Sequence, residues 1–89
     1  MGFNTTASGS VSTAMGSGTT ASGWFSTAMG SYTTASNDYT TVIGKGYDGD
    51  HKFENNQANS FMVGYMNSET DTEPELFVRD GGVGIGTTN

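Results

Sequence analysis

Ser12-Thr13-Ala14-Met15-Gly16 is written again, fourteen residues later, as Ser26-Thr27-Ala28-Met29-Gly30. Outward from this pair, residues 2–15, 16–29 and 30–43 restate one pattern at a fixed step of fourteen. Met1, Met15, Met29 and Ile43 share one register; Gly2, Gly16, Gly30 and Gly44 share the next. Ala7, Ala21 and Ala35 form another, and Val11, Phe25, Tyr39 and Phe53 a fourth. Thr19/Thr33, Thr20/Thr34, Ala21/Ala35 and Ser22/Ser36 agree in identity, so the repeat fixes residues and not merely polarity. A strict period of this kind marks a chain whose repeats stack, each packing against its neighbours.

Inside one copy the periodicity is that of a strand. Val11, Thr13 and Met15 alternate with Ser12 and Ala14, as Phe25, Thr27 and Met29 do with Ser26 and Ala28. The other half, Thr5-Thr6-Ala7-Ser8 and its echoes at 19–22 and 33–36, is β-branched and alternates small apolar residues with hydroxyls. Two short strands and two corners per copy are predicted, with Gly16, Gly30 and Gly44 at one corner and Gly9, Gly23 and Asn37 at the other. One copy is then one coil of a parallel β-roll, a solenoid of fourteen residues per coil, with coils about 4.8 Å apart. A heptad helix fails on the same residues, because recurrent glycines and Thr-Thr pairs lower helix propensity and no Leu or Glu compensates.

Side-chain size assigns the faces. A roll whose strands pack directly on each other holds only small groups, which places Ala7, Ser12, Ala14, Ala21, Ser26, Ala28 and Ala35 inside. Val11, Met15, Phe25, Met29, Tyr39, Ile43 and Phe53 are then expected on an outward apolar stripe. Such a stripe is unusual on a soluble monomer. Burying each large side chain is worth roughly 1.5–3 kcal/mol, so self-association is expected, with three rolls meeting along an axis as a homotrimer.

Composition sets further bounds. The 89 residues make one small domain with a thin core, a third of them hydrophobic and fourteen of them glycine. The mixture of Gly, Ser, Thr and Asn would suit a disordered linker, but a linker has no reason to return Met or Ile to one register. Cysteine is absent, so neither a disulfide framework nor a Cys-rich zinc site can be built, and the redox compartment is left open. Nine acids against three bases give a net charge of −6, the wrong sign for a phosphate backbone, so no nucleic-acid partner is expected. Apolar runs reach only three residues, too short to span a bilayer, and the first residues lack the basic-then-apolar order of an export signal. Met1, in the Met/Ile register, is read as a repeat residue.

The two Ser-Thr-Ala-Met-Gly segments resemble the Ser-Val-Ala-Ile-Gly repeat of trimeric autotransporter adhesin heads, the haemagglutinin-type repeat. Asn59-Ser60-Phe61-Met62-Val63-Gly64 looks like one more degenerate copy. Leu76-Phe77-Val78 followed by Asp80-Gly81-Gly82-Val83-Gly84-Ile85-Gly86-Thr87-Thr88-Asn89 is similar to the junction that follows such repeats in phage and viral tail fibres. The resemblance is strong over 1–46 and weak over 47–75. It implies an all-β, left-handed parallel β-roll assembled as an intertwined homotrimer, on a cell surface or a virion tail fibre. Met in place of Ile and Thr in place of Val depart from the family pattern and weaken any transfer of adhesin partners.

Beyond residue 46 the period breaks. Residues 47–75 are expected to be irregular, holding the degenerate copy at 59–64, a single strand candidate from Phe61 to Tyr65 and an acidic excursion ended by Pro74. In 76–89 a short hairpin or neck is expected, turning through Arg79-Asp80-Gly81-Gly82 and covering the open end of the ladder.

Several residues invite chemistry. His51, the one histidine, has Asp48 and Asp50 nearby, but an acid-base site needs a nucleophile or second base within reach and none is indicated. Asp48-Gly49-Asp50 and Asp71-x-Glu73-x-Glu75 carry the oxygen ligands calcium prefers without matching an EF-hand loop, leaving Asp48 and Asp50 as weak metal candidates. Gly82-x-Gly84-x-Gly86 lacks the strand-to-helix transition of a dinucleotide fingerprint. Trp24, Tyr32 and Tyr47 lie outside the stripe registers, near corners, and could stack on sugars. Thr6, Thr20 and Thr34 with Ser8, Ser22 and Ser36 form an outward hydroxyl ladder resembling the ice-contact faces of some antifreeze proteins.

The sequence therefore points to a non-enzymatic fibre segment, without cofactor, presenting a receptor-binding or spacer surface to a host glycan or matrix protein and making no direct membrane contact. The alternative is a carbohydrate- or calcium-binding module acting through 47–75. An enzyme is the weakest reading, for want of paired catalytic groups.

Overall fold

The computed structural model describes residues 1–71 and 73–86. Thr72 and Thr87, Thr88 and Asn89, the last part of the expected neck, lie outside the described residues. The fold is all-β. Among the described residues eleven strands follow in chain order: β1 (Gly2–Phe3), β2 (Thr6–Ala7), β3 (Thr13–Ser17), β4 (Thr20–Ala21), β5 (Thr27–Ser31), β6 (Thr33–Ala35), β7 (Thr40–Lys45), β8 (Phe53–Asn55), β9 (Ser60–Tyr65), β10 (Leu76–Arg79) and β11 (Gly82–Ile85). They form a seven-stranded sheet, β1-β3-β5-β7-β9-β10-β11, and a four-stranded sheet, β2-β4-β6-β8. Up to β9 the chain alternates between the two, and like residues pair in parallel: Met15 with Met29 and Met29 with Ile43, Thr6 with Thr20 and Thr20 with Thr34. The sheets are thus mostly parallel and rich in Thr. Their Cα envelope, 30 × 28 × 14 Å, has the thickness of two β-layers.

The core lies between the sheets. From the larger sheet come Ala14, Ala28, Val42, Met62 and Phe77, successive members of one cross-strand row. From the smaller come Ala21 and Ala35, with Thr19, Thr33, Phe53 and Asn55. The filling grows along the stack: where Ala14 and Ala28 leave almost no space, Val42, Met62 and Phe77 widen it. Met66 and Pro74, from the connection between β9 and β10, are also buried there. Of the expected interior residues, Ala14, Ala21, Ser26, Ala28 and Ala35 are buried and Ser12 is half-buried. Ala7 pairs with Ala21 in the same row but is exposed, because no strand lies beyond β2.

The corners correct the sequence reading. Gly16, Gly30 and Gly44 do not turn them; they lie inside β3, β5 and β7, paired in register. Their φ angles are +114°, +115° and +146°, and a Cβ on Gly16 would approach the Gly30 carbonyl oxygen to 1.9 Å. The register demands glycine for close approach of adjacent backbones, not for a turn. The first corner lies at Asn4, Gly18 and Tyr32 instead, with φ of 53°, 68° and 53°; the second begins where expected, at Gly9, Gly23 and Asn37, and turns through Val11, Phe25 and Tyr39, with Asn59 at the next level, at φ of 55°, 54°, 56° and 60°. Backbone bonds stack these corners: Tyr32 donates to the Ser17 carbonyl at 2.9 Å and Tyr39 to the Trp24 carbonyl at 2.8 Å. A hydroxyl also ties the second corner at each level, Ser12 to the Gly9 carbonyl, Ser26 to Gly23 and Thr40 to Asn37, each at 2.7 Å.

The break after residue 46 is an insertion. Lys45 still pairs fourteen residues back, with Ser31, whereas Phe53 pairs with Thr33 and Ser60 with Thr40, twenty residues back. Six additional residues therefore enter within 46–52. Residues 53–55, expected to be irregular, form β8, so the two-sheet pattern continues for a fourth level. The side chain of Asn55 is buried and satisfied: it donates to the carbonyls of Thr41 and Ser60 and accepts from the Ser60 hydroxyl and the Gln57 amide. The C-terminal hairpin forms as expected, with β10 antiparallel to both β9 and β11 around Asp80 and Gly81. No helix among the described residues is long and apolar enough to cross a membrane.

Candidate functional site

Alternation along the strands gives the larger sheet a buried row flanked by two outward rows. One outward row runs Met15, Met29, Ile43, Val63, Leu76, Ile85, each residue paired with the next. The other runs Thr13, Thr27, Thr41, Phe61, Val78, Val83. The first is apolar throughout and the second becomes apolar from Phe61 onward. None of these twelve side chains is buried, and the last members, Val83 and Ile85, are 64% and 80% exposed. A continuous apolar face across six strands is more than scattered surface hydrophobes provide.

Met15, Met29 and Ile43 stand on this face, as expected. Val11, Phe25 and Tyr39 do not belong to its strands. They occupy the corner beside it, exposed, at backbone positions that bulky residues rarely adopt. Phe25 and Tyr39 stack with ring centroids 5.4 Å apart and planes 3° from parallel. Phe53 is a correction: it is 1% exposed, in the core, and cannot belong to an outward stripe. Its fourteen-residue spacing from Tyr39 is coincidental, because the insertion displaces it by six positions and gives the corner register to Asn59. Phe61, Val63, Leu76, Val78, Val83 and Ile85 were not legible as members of the face. Each segment alternates, but the step changes to twenty at β9 and the chain direction reverses at β10, so no fixed period connects them.

The aromatic candidates separate. Trp24, 60% exposed, is next to Phe25, its backbone N–H donating to the Asp38 carboxylate at 2.9 Å. Tyr32 lies at the opposite corner, half-buried, where its ring covers Gly18 and reaches toward Gly49 of the inserted loop. Tyr47, in that loop, is exposed and meets His51 edge-on at a centroid distance of 6.3 Å.

The inserted loop is organised by Asp48. Its Oδ1 accepts from the backbone N–H of Asp50 and of His51 and lies 2.9 Å from His51 Nδ1. The other ring nitrogen, Nε2, is 3.4 Å from the Glu69 carboxylate, on the connection after β9. The bond from His51 holds Asp48 below the usual carboxylate range, and the bond to Asp48 raises His51 above the usual imidazole value. Of the two weak metal candidates, Asp48 is thus engaged by the His51 ring, and Asp50 joins the arrangement through its backbone N–H. Among the described residues no group of three or more His, Cys, Asp or Glu is arranged to hold a metal ion.

The outward ladder of the smaller sheet pairs Thr6, Thr20 and Thr34 as expected and then meets Glu54, whose carboxylate accepts from the Ser36 hydroxyl at 2.5 Å. A charged fourth level interrupts the regular hydroxyl array that ice contact would require. Comparison of the chain with models of known protein families, with characterised proteins and with solved structures found no match.

Proposed function

We propose that the chain is a non-enzymatic segment of an extracellular trimeric fibre, an adhesin head or a tail-fibre shaft, presenting a receptor-binding or spacer surface. On this reading the two-sheet stack is a left-handed β-roll, and the outward face of the seven-stranded sheet is its contact with two further copies. The apolar row from Met15 to Ile85 carries the proposal. From Met15 to Leu76 its side chains are already half-buried, so association adds on the order of 1 kcal/mol for each one completed, and more at the exposed Ile85. The number three comes from the resemblance of the repeat to trimeric heads, and the extracellular or virion setting has the same source. Among the described residues no nucleophile stands paired with a base, which is why a structural and adhesive role is preferred to catalysis.

Light scattering at micromolar concentration tests the assembly. A trimer is expected, and Met29→Asp, which places a charge in the contact, should dissociate it while the circular dichroism of the sheets survives. A stable monomer, or a trimer indifferent to Met29→Asp, refutes the reading. A second reading has its own observation: Tyr32, Tyr47, Asp48 and His51 gather at the inserted loop, the aromatic and polar mixture on which a sugar could rest. A glycan array binding the intact chain and failing with Tyr47→Ala would favour it.

A further inference from the structure

The inserted loop and the connection after β9 belong to different levels of the stack, and His51 bridges them. Its Nδ1 is 2.9 Å from Asp48 Oδ1 and its Nε2 is 3.4 Å from Glu69 Oε2. An ionised carboxylate has no hydrogen to donate, so a ring nitrogen facing one is satisfied only as N–H. Nδ1 is hydrogen-bonded to Asp48 and Nε2 stands at ion-pair distance from Glu69, so the imidazolium cation suits both contacts and a neutral ring suits only one. From these contacts we infer that His51 is a proton-dependent clasp, fastening residues 67–71 to the inserted loop while charged and releasing them when neutral.

The charges acting on His51 are all acidic: Asp48 and Asp50 from its own loop and Glu69 from the facing connection. Tyr47 contributes a ring edge. Asp71, on the same connection as Glu69, is turned to its own backbone, accepting from the Asn67 N–H at 3.3 Å. Deprotonation therefore does not fall evenly on the two contacts. The neutral ring keeps Nδ1–H on the nearer, backbone-anchored Asp48, and Nε2 then presents a lone pair to the Glu69 carboxylate, turning attraction into repulsion. The inserted loop stays folded, because Asp48 still accepts from the Asp50 and His51 amides. The connection at 67–71 loses its side-chain tether, while Met66 stays held in the core and by its N–H on the Lys45 carbonyl at 2.8 Å.

The direction in pH follows. His51 is raised above 6.5, so its contribution is complete below that value and disappears as pH rises through the folded-state pKa. Asp48 is lowered below 3.8, so its share is complete above that value and lost only as pH falls through its own folded-state pKa. The clasp is closed between these limits and opens on the alkaline side, beside the exposed Tyr47.

An NMR titration of the intact chain from pH 5 to 9 tests this, following the His51 ring and the backbone amides of 67–71. Those amides should titrate with the midpoint of His51, above 6.5, and their heteronuclear NOE should fall across it while strand amides hold theirs. His51→Gln should give the low NOE at every pH. Glu69→Gln should lower the His51 midpoint and remove the NOE step with the strand spectrum unchanged. A constant NOE over 67–71 in the unmodified chain, or a step that survives Glu69→Gln, overturns the clasp.

Discussion

The rings of Phe25 and Tyr39 lie face to face, centroids 5.4 Å apart and 3° from parallel, on backbone positions with φ of +54° and +56°. A left-handed conformation costs a residue with a Cβ about 1–2 kcal/mol, and a stacked pair returns about 0.5–1.5 kcal/mol beyond its area. Strain and stacking are therefore of similar size, and small residues at Tyr39 should separate them. Tyr39→Ala keeps the strain and loses the stack, whereas Tyr39→Gly loses both. Glycine also costs about 0.4–1 kcal/mol through the unfolded chain, so the net expectation is that Tyr39→Gly exceeds Tyr39→Ala in stability by roughly 0.5–1 kcal/mol. Urea unfolding of the two variants at equal protein concentration measures the difference; an equal or reversed order would remove backbone strain from the account.

Two glycines of one sheet, in β5 and in the edge strand β11, should respond oppositely to alanine. At Gly30 the new Cβ would lie 1.9 Å from the Gly44 carbonyl oxygen, on a backbone with φ of +115°. The obstacle is backbone held in a ladder on both sides and cannot swing away. Gly30→Ala is expected to cost about 3 kcal/mol or more, the range of steric conflicts in packed interiors. A Cβ at Gly82 meets nothing within 4 Å, so Gly82→Ala should leave stability unchanged or raise it by up to about 1 kcal/mol. Thermal unfolding of both variants checks the contrast.

Phe53 offers a test of register. It is buried at 1% exposure between the sheets, with its ring 2.5 Å from where a Cβ on Gly64 would stand. Phe53→Ala is expected to cost about 3–5 kcal/mol by opening a cavity, against a markedly smaller loss for Phe25→Ala at the exposed corner. Comparable losses for the two would restore Phe53 to the outward stripe, where the bare fourteen-residue count puts it.

That contrast also marks how far the sequence could be read. Ala14, Ala28 and their neighbours declared a thin interior because small residues recur where two strands must touch, and the Met15–Met29–Ile43 register declared an outward row in the same way. Both are local regularities, repeated until they cannot be chance. Phe53 obeyed the count but not the geometry: the polar run Asp48-Gly49-Asp50-His51-Lys52 marks a break in the repeat, but nothing in it shows that six residues were added. Val11, Phe25 and Tyr39 misled differently: alternation cannot reveal that the backbone turns left-handed at a valine or an aromatic, where glycine would be the ordinary choice. The His51–Glu69 contact joins residues eighteen apart across two irregular segments, and no periodicity could announce it.

The extension of the apolar face into the hairpin can be tested apart from the repeats. Ile85 ends the row that begins at Met15, pairs with Leu76, and is 80% exposed in the single chain, so replacing it removes almost no internal packing. If the whole row is the contact between copies, Ile85→Asp should weaken assembly as Met29→Asp does while the isolated chain stays folded. Each copy would bury one unpaired carboxylate there, and the assembly would carry that penalty once per copy. Thr20→Glu, on the outward face of the smaller sheet, is the matched control: a glutamate already stands at the fourth level of that row, as Glu54. Sedimentation equilibrium of the three variants should show dissociation for Met29→Asp and Ile85→Asp and an unchanged association state for Thr20→Glu. Dissociation by Met29→Asp alone would confine the contact to the repeats and leave the hairpin outside it, and dissociation by Thr20→Glu alone would move the contact to the smaller sheet.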